Sequence, residues 1–145
     1  MSNSFFTNNQ QIGDDINGSS PNEFTGFSVS LSEDGTILAT GVPSYSSNGQ
    51  TSGKVRVYQN THNNWIQLGQ DIVGETIGDE FGGSVSLSSN GTVIAVGAPD
   101  NDGNGPASGH VRIYQYVNGT WTQLGQDIDG EASHDQAGIS VSLSS

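Results

Sequence analysis

The chain has no cysteine, only three lysine or arginine residues, four prolines and a single methionine. Without cysteine there is neither a disulfide framework nor a thiolate metal site, and the redox compartment stays open. Three bases against fifteen acids leave a formal charge of -12. Nucleic-acid binding begins with phosphate neutralisation, so no nucleic-acid partner is expected. The longest apolar stretch, Val93–Ala98, contains Gly97 and is far shorter than the ~18 residues of a membrane span. Residues 1–10 have neither a basic start nor an apolar segment, so no signal peptide is legible there.

What is present is glycine, at 21 positions, with serine, threonine and asparagine interspersed with valine, isoleucine and leucine. That is the composition of a turn-rich β protein rather than of a disordered, highly charged chain. A repeat organises it. The Ser-Val-Ser-Leu-Ser segment occurs at residues 28–32, 84–88 and 140–144, a spacing of 56 residues each time with no gap. The same offset relates Val55-Arg56-Val57-Tyr58 to Val111-Arg112-Ile113-Tyr114, and Trp65 to Trp121. Close to half of the aligned positions of residues 11–66 and 67–122 are identical. The chain therefore divides into a lead-in of residues 1–10, repeat 1 at 11–66, repeat 2 at 67–122 and a partial repeat 3 at 123–145, all one array.

Within the repeat, Ser84–Ser88 alternates polar and apolar and reads as a strand A. Asn90-Gly91, or Asp34-Gly35 in the first copy, turns it into strand B through a tight hairpin, expected as type I′. Strand B, Thr92 to Val96, is apolar nearly throughout and stops at Gly97-Ala98-Pro99. A loop over residues 100–109 leads to strand C at Val111–Gln115. Asn118-Gly119 then turns into strand D, which runs from Trp121 through Leu124. Four antiparallel strands per repeat form the plan of one β-propeller blade, so the fold class is all-β, with about two and a half blades.

Phe81-Gly82, strand A, Gly97-Ala98-Pro99 and Ser108-Gly109 before Val111-Arg112-Ile113-Tyr114 together resemble the FG-GAP repeat of integrin α-subunit propellers and microbial surface proteins. The resemblance covers residues 11 to 145. The Phe-Gly position reads Thr25-Gly26 in the first copy and Ala137-Gly138 in the third. It implies an extracellular or cell-surface binding or adhesion module. Integrin-type calcium loops lie in the A to B connection, which here is a tight turn, so that calcium site does not carry over.

No catalytic set assembles. Gly82-Gly83-Ser84-Val85-Ser86 lacks the last glycine of a nucleophile elbow. Gly69 and Gly74 have P-loop spacing but no following lysine. His62, His110 and His134 occupy three different repeat phases and read as solvent-facing loop or strand-end residues, so no enzyme is expected. Thirteen acids fall in the B to C and D to A loops, which share one rim of a blade; only Glu33 and Asp34 lie at the other. Such a rim attracts basic partners or divalent cations. Asp100, Asp102 and Asn104 have the alternate spacing that begins a calcium loop, without its closing glutamate, so calcium is the one cofactor to consider. Arg56 and Arg112 are placed to reach Asp71 and Asp127 or to stack on the neighbouring tyrosines. Trp65 and Trp121 either anchor strand D or form one sugar platform per blade.

The expected function is non-catalytic: a module that meets a protein or glycan partner. The alternatives are a lectin built on the two tryptophans and a scaffold propeller within a longer, enzyme-containing chain. A propeller closes with about four to eight blades, at this period at least roughly 220 residues. Further blades in the same chain, or self-association, are therefore needed to cover the outer sheet faces. The isolated chain is expected to associate as concentration rises in sedimentation velocity; a monodisperse, cooperatively melting monomer contradicts this.

Overall fold

The computed structural model describes residues 10–47 and 50–144. The lead-in of residues 1–10 lies outside the described residues apart from Gln10, as do Asn48 of the first B to C loop and Ser145. All regular structure among the described residues is β. The first blade comprises β1 (Ser28–Leu31), β2 (Ile37–Val42), β5 (Lys54–Thr61) and β6 (Asn64–Gln67), with β7 (Ile72–Val73) also on β5. A short ribbon of β3 (Ser46–Ser47) and β4 (Gln50–Thr51) lies within its B to C loop. The second blade repeats the order with β8 (Ser84–Leu87), β9 (Val93–Ala98), β10 (His110–Val117) and β11 (Thr120–Gln123), with β12 (Ile128–Asp129) on β10. Every ladder is antiparallel, and registers agree between copies: Ser28 faces Gly41 as Ser84 faces Gly97.

The period-two pattern of strand A has different consequences in the two copies. Val85 and Leu87 are buried, and with Ile94 and Val96 they form one core with Ile37, Ala39, Val55 and Val57 of the first blade. Val29 and Leu31, at the same phases, are 62% and 56% exposed. The first blade thus offers its neighbour one apolar sheet face and leaves the opposite one open.

Blades are joined by backbone as much as by side chains. A Cβ on Gly41 would collide with the carbonyl oxygen of Gly82, and one on Gly97 with that of Gly138. Ser28 Oγ donates to Gly82 O at 2.8 Å, and Ser84 Oγ to Gly138 O at 2.7 Å. Gly53 bridges Phe81 in parallel, as Gly109 bridges Ala137. The Phe-Gly pair of one repeat therefore threads between the Gly-x-Pro and Ser-Gly segments of the repeat before it. Phe81 itself is 1% exposed and meets Tyr114 edge-on at 6.2 Å between ring centroids.

Three sequence expectations change. The A to B hairpin is not type I′: Gly35 and Gly91 have positive φ, but Asp34 and Asn90 do not. A β-turn closes instead by Gly35 N–H to Ser32 O at 3.0 Å, while Asp34 Oδ1 accepts from Ser32 Oγ, Thr36 N–H and Thr36 Oγ1. The C to D turn has positive φ at both central residues, Asn118-Gly119 and His62-Asn63, as a type I′ turn requires. Strand B continues through Gly97 and Ala98, because glycine there lets the next repeat approach. Residues 139–144 form no ladder among the described residues, although Leu143 N–H donates to Ser86 Oγ at 2.9 Å, as Leu87 N–H does to Ser30 Oγ.

The two copies supply their own control. Leu87→Ala should lower unfolding free energy by about 2–5 kcal/mol, whereas Leu31→Ala should change it by less than about 0.5 kcal/mol. Urea denaturation at concentrations too low for association measures both; equal losses would contradict the packing described.

Candidate functional site

The B to C and D to A loops of adjacent blades meet at one rim. The geometry there begins with a break in strand D. Gly69 and Gly125 have φ of 78° and 79°, a conformation that interrupts the ladder before β7 and β12 resume it. Strand D thus runs in two pieces rather than continuously from Trp121. The break turns Asp71 and Asp127 toward strand C, and Gln67 and Gln123, at the end of the first piece of strand D, each donate to them at 2.7 Å.

Arg112 reaches Asp127 with two donors, Nε at 2.8 Å and Nη2 at 2.6 Å, and also Glu75 of the preceding blade at 2.6 Å. It is 8% exposed. Hydrogen bonding to Asp127 and Glu75 raises its pKa despite desolvation, and the Arg112 bond holds the Asp127 carboxyl below the usual range. In the first blade Arg56 Nε pairs with Asp71 at 3.1 Å, and Ser19 stands at the phase of Glu75. The expected arginine to carboxylate contacts are thus present in both copies.

Two residues upstream the copies differ. Lys54 is 1% exposed, lies 3.4 Å from Asp71 Oδ2, and has its ammonium over the Tyr45 ring, 3.6 Å from the centroid. Burial, and then Arg56, lower its pKa. His110 takes this place in the second blade. It is 2% exposed, which corrects its reading as a solvent-facing residue; His62 and His134 are exposed, at positive φ. Burial, then Arg112, push its pKa down, so the imidazole is neutral near pH 7. Its Nε2 is buried without a hydrogen-bond partner among the described residues. The sequence signal that was available is the in-step exchange of one polar residue for another, Lys54 for His110, at the buried head of strand C.

His110 opens on a cleft of ≈ 410 Å³ with Glu75, Asp102, Asp127 and Asp129 in its walls. Asp79 is 2% exposed, its pKa raised by burial, and it accepts from Asn101 Nδ2 at 2.9 Å. The acids of these two loop classes therefore do converge between the blades. Glu33 and Asp34 line a separate recess with Ser89 and Asn90.

The other candidate residues are engaged by the fold. Asp102 Oδ1 accepts the Ala107 N–H at 2.8 Å, Asn104 Nδ2 donates to Gly130 O at 2.9 Å, and Asp100 Oδ1 accepts from Gln136 Nε2 at 3.5 Å. The A to B turns do not fit a calcium loop, since Asp34 Oδ1 and Asn90 Oδ1 each accept three bonds within their own turns. Trp121 is 4% exposed and donates Nε1–H to Leu68 O of the preceding blade at 2.8 Å. Gln70 clasps its backbone on both sides, and Tyr116 packs on the ring at 5.2 Å between centroids. No ring face is left for a sugar. Trp65 donates equivalently to Ile12 O at 2.9 Å but is half-buried, and it borders a cleft of ≈ 240 Å³ with Asp14, Asp15, Asn17 and Tyr58.

Residues 75–114 match the family model of the FG-GAP repeat. The match spans the D to A loop, Phe81-Gly82, β8, β9, Gly97-Ala98-Pro99 and Ser108-Gly109, the segments that lock the blades together. No curated protein matches the chain.

Arg112→Gln should cost about 1.5–3 kcal/mol, because hydrogen bonds to charged groups carry that much and Asp127 would be left among acids. Arg56→Gln should cost less, since Lys54 remains beside Asp71. Denaturant titration of the two variants ranks them; the opposite order would contradict this account.

Proposed function

Taking the FG-GAP repeat and its blade architecture as the premise, we propose that the chain is a non-catalytic binding module whose long-loop rim meets a partner in an extracellular or cell-surface setting. The observation that carries this reading is the composite cleft. Glu75 comes from one blade, Asp102, Asp127 and Asp129 from the next, so stacking the repeats creates a surface that neither has alone. Carboxylates exceed the single guanidinium there, and the complementary ligand is a basic protein segment. The regular strands support the non-catalytic part. Ser28 and Ser84 spend their hydroxyls on carbonyls of the next repeat, and Ser30 and Ser86 accept its backbone N–H groups.

A glycan-binding reading has one specific support, the half-open cleft beside Trp65, where an aromatic face adjoins Tyr58 and the polar side chains of Asp14, Asp15, Asn17 and Asn64. It rests on the first repeat alone, because Trp121 is covered.

Parallel screens of the chain against basic peptides and against a glycan array separate the two. Retention of lysine- and arginine-rich peptides at low salt, weakened by Asp102→Asn and unaffected by Trp65→Ala, is expected. Glycan capture lost in Trp65→Ala would replace the first reading by the second, and binding in neither screen would leave the rim without this role.

A further inference from the structure

The cleft between the blades differs from its counterpart one repeat earlier in a way the framework does not require. In repeat 1 the head of strand C supplies a cation, the Lys54 ammonium, 3.4 Å from Asp71. The corresponding residues of the second blade are His110 and Asp127. At two further phases Ser19 becomes Glu75 and Val73 becomes Asp129. One positive charge has been lost and two negative charges gained around a site of unchanged backbone.

The imidazole that replaces the ammonium is almost wholly buried, and its Nε2 has no partner among the described residues. Its other nitrogen, Nδ1, lies 4.0 Å from Asp127 Oδ2. One nitrogen of His110 and one carboxylate oxygen from each of Asp127 and Asp129 all lie within 4.8 Å of one another. Asp129 is exposed, so its side chain is free to turn inward. Asp127 is already oriented, by Arg112 Nε and Nη2 and by Gln123 Nε2. This is the outer-shell support that ligating carboxylates normally have, and Oδ2, which accepts only the Arg112 Nη2 bond, keeps a lone pair for a further partner.

We infer that His110, Asp127 and Asp129 bind a divalent transition-metal ion of the zinc type, at the position where repeat 1 carries the Lys54 ammonium. The donor set decides the class of ion. Calcium and magnesium take oxygen donors, whereas imidazole with carboxylate suits zinc and its first-row neighbours. Donor distances of about 2.0–2.2 Å around such an ion require the three atoms to close by only a fraction of their present spacing. Three protein donors leave a fourth coordination position open to water or to a partner's donor. The site is distinct from both the A to B turns and the Asp100–Asn104 loop.

The test uses the untagged chain, titrated with zinc chloride by calorimetry in a non-chelating buffer near neutral pH, with melting followed in parallel. One ion per chain, with Kd below about 10 µM and a raised melting temperature, is expected. Asp129→Val and His110→Lys each install the residue that the first blade has at that phase. Each should weaken binding by about tenfold or more, with an unchanged metal-free far-UV spectrum. Because Asp129 is exposed, its variant carries the test even if His110→Lys fails to fold. Exposed His62 and His134 contribute only a background that both variants retain. Absence of zinc binding, undiminished binding in Asp129→Val, or calcium bound in preference to zinc would each overturn the inference.

Discussion

Everything in this structure depends on the backbone of one repeat lying directly against the backbone of the one before. Gly41 and Gly97 have no side chain because the carbonyls of Gly82 and Gly138 occupy the space a Cβ would need. That close approach brings Ser28 and Ser84 within hydrogen-bond reach of the same carbonyls. It also sets the depth at which Phe81 enters the core and the separation at which Val85 and Leu87 meet Ile37 and Val57. Burying each such side chain contributes roughly 1.5–3 kcal/mol, but only if the sheets stand at the right distance, and the glycines fix that distance. The FG and GAP segments are thus two halves of one contact, each half supplied by a different repeat.

A second contact repeats at the strand D edge. The tryptophan of one repeat donates to the carbonyl of the preceding Gln-Leu-Gly or Gln-Ile-Gly segment, at 2.8 Å for Trp121 and 2.9 Å for Trp65. With an inner and an outer tie between each pair, stability is set mainly by nearest neighbours, as in other repeat arrays. The exposed Val29 and Leu31 mark the face from which such a neighbour is missing among the described residues.

Much of this was legible in the sequence because a repeat provides its own comparison. Period two in Ser-Val-Ser-Leu-Ser, turn residues in register and a strict 56-residue offset place eight principal strands and both blades. Less legible were features set by contacts between loops distant in sequence. Asn90-Gly91 carries the strongest local signal for a type I′ turn, yet the five-residue connection with its Ser and Thr hydroxyls stabilises another geometry. The break at Gly125 reads as a strand end until Gln123 and Arg112 are seen to require it. His110 carries no ligand spacing along the chain, because its neighbours Asp127 and Asp129 arrive from the next strand and Glu75 from another blade.

The distribution of differences between the two copies follows from these constraints. Positions in the clasp are identical: at Gly41 and Gly97 and at Gly53 and Gly109 a side chain would separate the blades, and at Ser28 and Ser84 the hydroxyl ties them together. Arg56 and Arg112 are identical because strand D breaks at the same point in each copy and presents Asp71 or Asp127 to them. Freedom remains where a side chain faces the inter-blade cleft rather than a neighbouring backbone. There Lys54 has become His110, Val73 has become Asp129 and Ser19 has become Glu75. The framework tolerates the exchange of an internally neutralised site for an electron-rich one because Arg112 still holds Asp127, and the difference in chemistry between the copies is confined to the rim.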